Sequence, residues 1–413
     1  MLTLQWTKNL SALPLCKPPE SCVDTYMVNA AAVSDDGSRV VGGTYYQHYE
    51  NTTRVKVSGR FGIYCFDTAG GGTPLFAHEY DGDKGIYAVA ISGDGTVAAG
   101  GGLLTKGSAN PFKPKHGLLR AFDVATQQPL LDSSSFTDRV NSVALSRNGT
   151  VLVAVAESTL YIFHRSLTTP FATPPQSVDL AGYCETVAIH PDGTWAAAAD
   201  QTGTVSVIPI TDGVPGTPAT WVAAEPENPT LPGSLKMPVK FHSVAIARAT
   251  DAFTVGGGDV VYLLTRASMA AGTPGPVARF SSFDSEGHHS VRWVAIADDA
   301  SFITAVVNDS DPAGNPKGRL VKLRPAGDIL TMSWKRVLDH PPNSTSIDSS
   351  GTLITAAVGF PNHVQGAFYL FNQLGNKRGM HTTVDMNWPM QVSANGKGIV
   401  AGSDDNTLLF FTP

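Results

Sequence analysis

The side chains able to do chemistry in this chain are scattered, and none of their spacings matches a self-contained catalytic machine. There is no GxSxG turn to raise a serine nucleophile, no HExxH pair for zinc, no P-loop and no GxGxxG opening a helix. Gly70–Gly72 and Gly256–Gly258 sit at turns and strand ends. The acidic turns at Asp81 and Asn308 lack the ligand spacing of a calcium loop. Histidine offers one long-range grouping. Of 11 histidines, His242, His288, His289, His340 and His381 fall in or beside four successive connections, with Glu286 and Asp385 near in sequence. Converging imidazoles hold a divalent metal through neutral ring nitrogens. On that reading His242, His289, His340 and His381 are the candidate ligands, His288 pointing away from His289 along a strand. The plainer reading is separate surface histidines, no metal and no cofactor.

A second candidate set appears only against the elements that would position it. The chain repeats one phrase, as in VNAAAVSDDGSRVVGG from Val28, IYAVAISGDGTVAAGG from Ile86, CETVAIHPDGTWAAAA from Cys184 and NWPMQVSANGKGIVAG from Asn387. Each phrase is an apolar strand, a tight turn and a strand of small residues. Asp-Gly and Asn-Gly turns accept positive φ and mark hairpins. The turn positions Asp36, Asp94, Asn148, Asp192, Asp251, Asp299, Ser350 and Asn395 step by 44 to 59 residues, the period of a propeller blade. A third strand follows each pair, as in FGIYCF from Phe61 or TLYIF from Thr159, and a weaker fourth after that.

Four antiparallel strands per unit, with small residues crowding the inner two, predict an all-β, eight-bladed β-propeller spanning residues 1–413 as one domain. Seven blades follow instead if the unit at Pro342 or Asn387 is incomplete. The last unit supplies three strands and ends at NTLLFFTP. LTLQWT at the start, alternating Leu2, Leu4 and Trp6, is expected to add the fourth and close the ring.

Aligning the units on Val33, Ile91, Leu145, Ile189, Ile246, Ile296, Ile347 and Val392 gives the second set. Four residues earlier stand Asn29, Tyr87, Asn141, Glu185, His242, Arg292, Asn343 and Trp388, none of them aliphatic. Strand alternation puts them on the side of the aliphatic positions, one rung nearer the connecting loops. They would ring the mouth of the central channel. One reading is a hydrated plug that satisfies strand ends. The other is a ligand-binding pocket, with Glu185 and Arg292 as polar anchors and Tyr87 and Trp388 as flat apolar walls.

Five long insertions, 10–25, 45–60, 104–116, 225–240 and 309–317, all fall on the face carrying this mouth. Loop length concentrated on one face points to binding there.

The repeats resemble the WD-repeat and quinoprotein-like propeller superfamily, most closely in MQVSANGKGIVAGSDDNTLLFF. Phe66-Asp67 and Phe122-Asp123 stand where such repeats carry Trp-Asp, although no unit has the Trp-Asp dipeptide itself. The resemblance implies architecture, and propellers host binders, scaffolds and enzymes alike. The functional expectation is a non-catalytic propeller that binds a protein partner or small ligand on the long-loop face. The alternative is an enzyme, a lyase or hydrolase and in one version metal-dependent, with its active site at the channel mouth.

Composition narrows the partners. A net charge of −6 argues against a general nucleic-acid or anionic-membrane binder, and no apolar run reaches the length of a membrane span. The opening residues lack the pattern of a signal peptide, which points to the cytoplasm. The low charge equally suits a mature secreted or periplasmic chain. Cys65 and Cys184 read as buried small hydrophobes. Cys16 and Cys22 read as either a disulfide or two free thiols.

Overall fold

The computed structural model describes residues 1–10, 22–50, 59–82, 84–104, 116–226, 236–282, 289–310, 316–359 and 365–413. The described chain is built almost wholly of antiparallel strands, with one short helix at Arg266–Ala270. The repeats fold as sheets ordered from an inner to an outer strand. In the second, Gly85–Ile91 pairs with Val97–Leu104, then His116–Asp123, then Pro129–Phe136. The third runs Val140–Leu145, Val151–Ala156, Thr159–His164 and Gln176–Asp179 in the same order. In the last repeat the sheet is Asn387–Val392, Ile399–Ser403, Thr407–Thr412 and then Thr3–Asn9 from the start of the chain.

Apolar side chains on both faces of each sheet find partners on the neighbouring repeat, so the core lies between sheets. Val151, Val153 and Leu160 of the third repeat pack on Cys184, Ala196 and Ile208 of the fourth. Val400, Leu408 and Phe410 of the last repeat pack on Val28, Val40 and Phe66 of the first, with Trp6 among them. Alanine and glycine fill the second strands, as in Trp195–Asp200 (WAAAAD), because adjacent sheets approach closely there.

The hairpin turns explain their own sequence. Ser34 Oγ donates to Asp36 Oδ1 at 2.7 Å and accepts the Arg39 N–H at 3.0 Å, while Asp36 accepts the Ser38 N–H at 2.9 Å. Gly37 follows at φ +73°, a conformation that costs glycine nothing. The same box recurs at Ser92–Asp94, Ser146–Asn148 and Ser393–Asn395. These turns also bond sideways. The Asp35 N–H donates to Gly93 O, Asp94 to Arg147 O, Arg147 to Pro191 O, and Asn395 back to Asp35 O.

Two expectations are corrected. The alternation read in LTLQWT breaks, because the register with Thr407–Thr412 shifts between Leu4 and Trp6. Trp6 is buried at 7% exposure, but Leu4 is 42% exposed and Leu2 only half-buried. Loop length is also not confined to one face. Residues 165–175 and 266–277 join third to fourth strands and so lie with the short hairpin turns. Arg165 N–H bonds Thr150 O and Arg266 N–H bonds Asp251 O in those turns.

Cys65 and Cys184 are free and buried, and burial pushes both thiols up to about 12. Cys16 lies outside the described residues.

Candidate functional site

The eight residues expected at the mouth share a feature that strand alternation does not anticipate. Every inner strand loses register against its neighbour at that position. The shift spans Asn29, Tyr87, Asn141 and Glu185. It likewise spans His242, Arg292, Asn343 and, with Pro389, Trp388. A bulged residue stands outside the ladder and its side chain is re-aimed. The residues therefore do not simply continue the aliphatic side of the strand. All eight are half-buried, neither committed to the core nor free in solvent.

Several of them link to the next repeat. Asn141 Nδ2 donates to Cys184 O at 2.9 Å, and Asn343 Nδ2 to Asn387 O at 2.6 Å. His242 Nδ1 meets Glu185 Oε2 at 2.9 Å, and Gln201 Nε2 donates to Glu185 Oε1 at 2.6 Å. Burial opposes ionisation of Glu185, but His242, Gln201 and the Arg292 charge outweigh it and hold the carboxyl below its usual range.

A second arc runs through the first four repeats. Tyr45 meets the Tyr87 ring edge-on at 5.0 Å, and the Arg139 guanidinium lies 4.4 Å from the centre of Tyr87. Arg139 also donates to Asn141 Oδ1 at 2.6 Å and to Tyr183 Oη at 2.8 Å. Tyr45, Arg139 and Tyr183 escaped the repeat alignment because they flank the aligned rung. The signal was chemical: aromatic and cationic residues beside the inner strands. At Trp388, Asp404 and Asp385 lie close, and burial, reinforced by Asp385, pushes Asp404 up to about 8.

Below the mouth the inner strands present small residues. The position after the bulge is Ala30, Ala88, Ser142, Thr186, Ser243 and Ser344 in six repeats. Their hydroxyls stitch neighbours together: Ser142 accepts the Val187 N–H, Ser243 that of Val294 and Ser344 that of Met390. The sixth repeat places Trp293 there, 37% exposed. The same alignment shows it as a lone large side chain on a rung of small ones.

The opposite end carries charge that sequence reading passed over. Asp35 of the first repeat accepts from Arg147 of the third at 2.8 Å and Arg248 of the fifth at 2.5 Å, and Arg248 lies 3.9 Å from Asp298 of the sixth. Burial raises the Asp298 pKa. A cavity of about 400 Å³ opens beside these turns, lined by Asp36, Arg39, Leu75, Asp94, Val124 and Gln127. Its two aspartates already cap their own turns.

The metal reading is not supported by the geometry. Among the described residues no group of three or more histidine, cysteine, aspartate or glutamate side chains is placed to hold a metal. His242 pairs with Glu185, His289 lies 3.1 Å from Asp309, and His381 packs on the Phe411 ring. His340 joins none of them in a ligand group. His288 and Glu286 lie outside the described residues. So do 11–21, 51–58, 105–115, 227–235 and 311–315, the greater part of the insertions. No described helix is long and apolar enough to cross a membrane.

No family model matches the chain, and no curated protein matches it. Solved structures do. The β-propeller domain of Cps50 (Swd1) from Myceliophteria thermophila superposes with TM-score 0.55 at 12% identity, over 79% of this chain and 95% of that one. Sqt1 from Chaetomium thermophilum, solved bound to the N-terminus of the ribosomal protein L10, gives 0.62 at 14% identity, over 98% and 100%. A chain of the mitotic checkpoint complex gives 0.55 at 14% identity, over 98% and 97%. The fold is that of a WD-repeat-like β-propeller.

Proposed function

We propose that this chain is a non-catalytic, eight-bladed propeller, its ring closed by Thr3–Asn9, that binds a polypeptide partner at the channel mouth, on the face opposite the Asp-Gly and Asn-Gly hairpin turns. The observation that carries the reading is the coincidence of all eight mouth residues with the bulge of their inner strands. The strand ladder needs nothing from the side chain of a residue outside it, so at positions without a bond to the next repeat side-chain type is free to serve recognition. The mouth offers what a peptide requires: the exposed indole of Trp293, the rings of Tyr87 and Trp388, the charges of Arg292 and Glu185, and carboxamides. The neighbour Sqt1 engages the end of another polypeptide, which agrees with this choice over a small ligand.

Affinity capture followed by crosslinking and mass spectrometry identifies the partner and the contact. Arg292→Ala and Trp388→Ala should abolish capture with little change in thermal stability, and Asp192→Ala on the short-turn face should leave it intact. Loss of capture from Asp192→Ala alone would refute the reading.

A further inference from the structure

We propose that the outer wall of the sixth to eighth repeats is a separate docking surface for an acidic polypeptide segment bearing apolar side chains. The rim of the molecule is electrically divided. The outer strands of the first three repeats, Thr73–Gly82, Pro129–Phe136 and Gln176–Asp179, hold Glu79, Asp81, Asp132 and Asp179 and neither lysine nor arginine. The outer strands of the last three, Ile329–Leu338, Lys377–Thr383 and Thr3–Asn9, hold Lys335, Arg336, Lys377, Arg378 and Lys8 and no acid. This arc runs against a net charge of −6 for the chain. Two acids flank its first strand, Asp328 and Asp339, and Asp339 is occupied by the Tyr369 hydroxyl at 2.9 Å.

The same wall exposes Leu4, Ile329, Met332, Val337, Leu374 and Met380. With Met1 and Val384 these are eight of the fourteen large apolar side chains exposed among the described residues. Exposed apolar surface gathered in one place marks an interaction site, whereas single exposed residues do not.

The wall is continuous. Trp334 Nε1 donates to Gln373 O at 3.0 Å and Arg336 Nε to Gly375 O at 2.6 Å, fixing the sixth outer strand to the turn before the seventh. A Cβ at Gly379 would lie 2.4 Å from Leu2 Cβ, so the seventh outer strand packs directly on the residue that leads into the eighth.

Charge and shape select the occupant. The exposed cations Lys335, Lys377 and Arg378, with apolar side chains between them, complement carboxylates alternating with leucine-like groups. An extended segment can follow the convex wall and bond the backbone edge of Lys377–Thr383, the outermost strand of its sheet. A flat lipid surface meets such a wall along one strand at a time. Nucleic acid finds little to stack on, because Trp334 is half-buried with its N–H committed.

The test uses the full chain and a fluorescein-labelled peptide of alternating glutamate and leucine, read by anisotropy against a lysine–leucine counterpart. Vesicles of phosphatidylserine and phosphatidylcholine form a parallel arm. Wild type should bind the acidic peptide, more weakly as salt rises. Lys335→Glu with Lys377→Glu and Arg378→Glu should weaken binding at least tenfold, and Met332→Ser with Met380→Ser severalfold. All these side chains are exposed, and matched circular dichroism melts confirm folding. Glu79→Lys with Asp132→Lys on the opposite arc, and Arg292→Ala at the mouth, should leave affinity unchanged. Equal binding of both peptides, indifference to the triple reversal, or preferential vesicle binding lost in that reversal would each overturn the proposal.

Discussion

Replacing Trp6 with alanine tests how the two ends of the chain are joined. Trp6 stacks on Phe410 at 5.4 Å with 20° between planes and tilts against Phe66 at 5.7 Å, so one indole bridges the last repeat and the first. Truncating a buried tryptophan typically costs about 3–5 kcal/mol in lost transfer energy and cavity. One feature works the other way: the buried Trp6 Nε1 has no hydrogen-bond partner among the described residues. Removing an unpaired buried donor returns about 1–3 kcal/mol. The expected net loss is therefore about 0–4 kcal/mol, centred near 2 and toward the upper end if the cavity stays open. Trp6→Phe keeps a stacked ring and drops the orphan donor, so it should fall within about 1 kcal/mol of wild type. Leu4→Ala should cost almost nothing, since Leu4 is 42% exposed. Equilibrium urea unfolding measures the three differences. Hydrogen exchange locates them, with faster exchange expected in Ile399–Ser403 and Thr407–Thr412 in Trp6→Ala alone. Equal losses for Trp6→Ala and Leu4→Ala, or unchanged exchange in those strands, would refute the reasoning.

Asp404 is expected to make the fold weaken with alkali. Its folded pKa of about 8 lies above the unfolded value, so its stabilising part is full below about pH 4 and is lost as pH rises towards 8. Asp404→Asn should remove that slope and be more stable than wild type at pH 9, checked by urea midpoints across pH. Glu185 has the opposite sign. Its carboxyl is held low, so its contribution is full above the ordinary glutamate range and fades as acid protonates it, and Glu185→Gln should flatten the acid limb of the same profile. Arg248→Ala should cost about 1–2 kcal/mol at low ionic strength. Most of that difference should vanish in 1 M salt; a cost that persists would mean the pair acts through packing.

The repeat, its turns and its strands were legible because each is a local consequence of sequence. Asp36-Gly37 dictates a turn by φ alone, and Ser34 and Ser38 complete it within a few residues. The short-turn bridge was not legible. Asp35, Arg147, Arg248 and Asp298 are separated by 112, 101 and 50 residues. Only the packing of repeat on repeat brings them together. The mouth stood between these cases. Alignment names its eight members, but alternation carries no trace of their register shift, because a bulge depends on the partner strand and leaves no mark in its own. The same failure misjudged Leu4. The histidines misled for a related reason: nearness in connection order does not bring side chains together, and each of His242 and His289 had a carboxylate of its own closer by.

On the proposed reading, the two ends of the inner strands divide the molecule's tasks. At the short-turn end the side chains are spent on holding the repeats together. Ser34 and Asp36 close a turn, the turn bonds its neighbour, and Asp35 draws in arginines from two further repeats. A substitution there disturbs several bonds at once and is felt as lost stability. At the mouth the bulge removes the residue from the ladder, and the backbone stitch passes instead to the next rung through Ser142, Ser243 and Ser344. Asn141 and Asn343 retain a structural duty through bonds to the following repeat. Arg292 and Trp388 make no such bond to the following repeat among the described residues, and they are also among the most chemically distinctive of the eight. Large, varied side chains at positions the scaffold has released, above a wall of alanine, serine and threonine, are the arrangement expected where recognition, not folding, selects the residue.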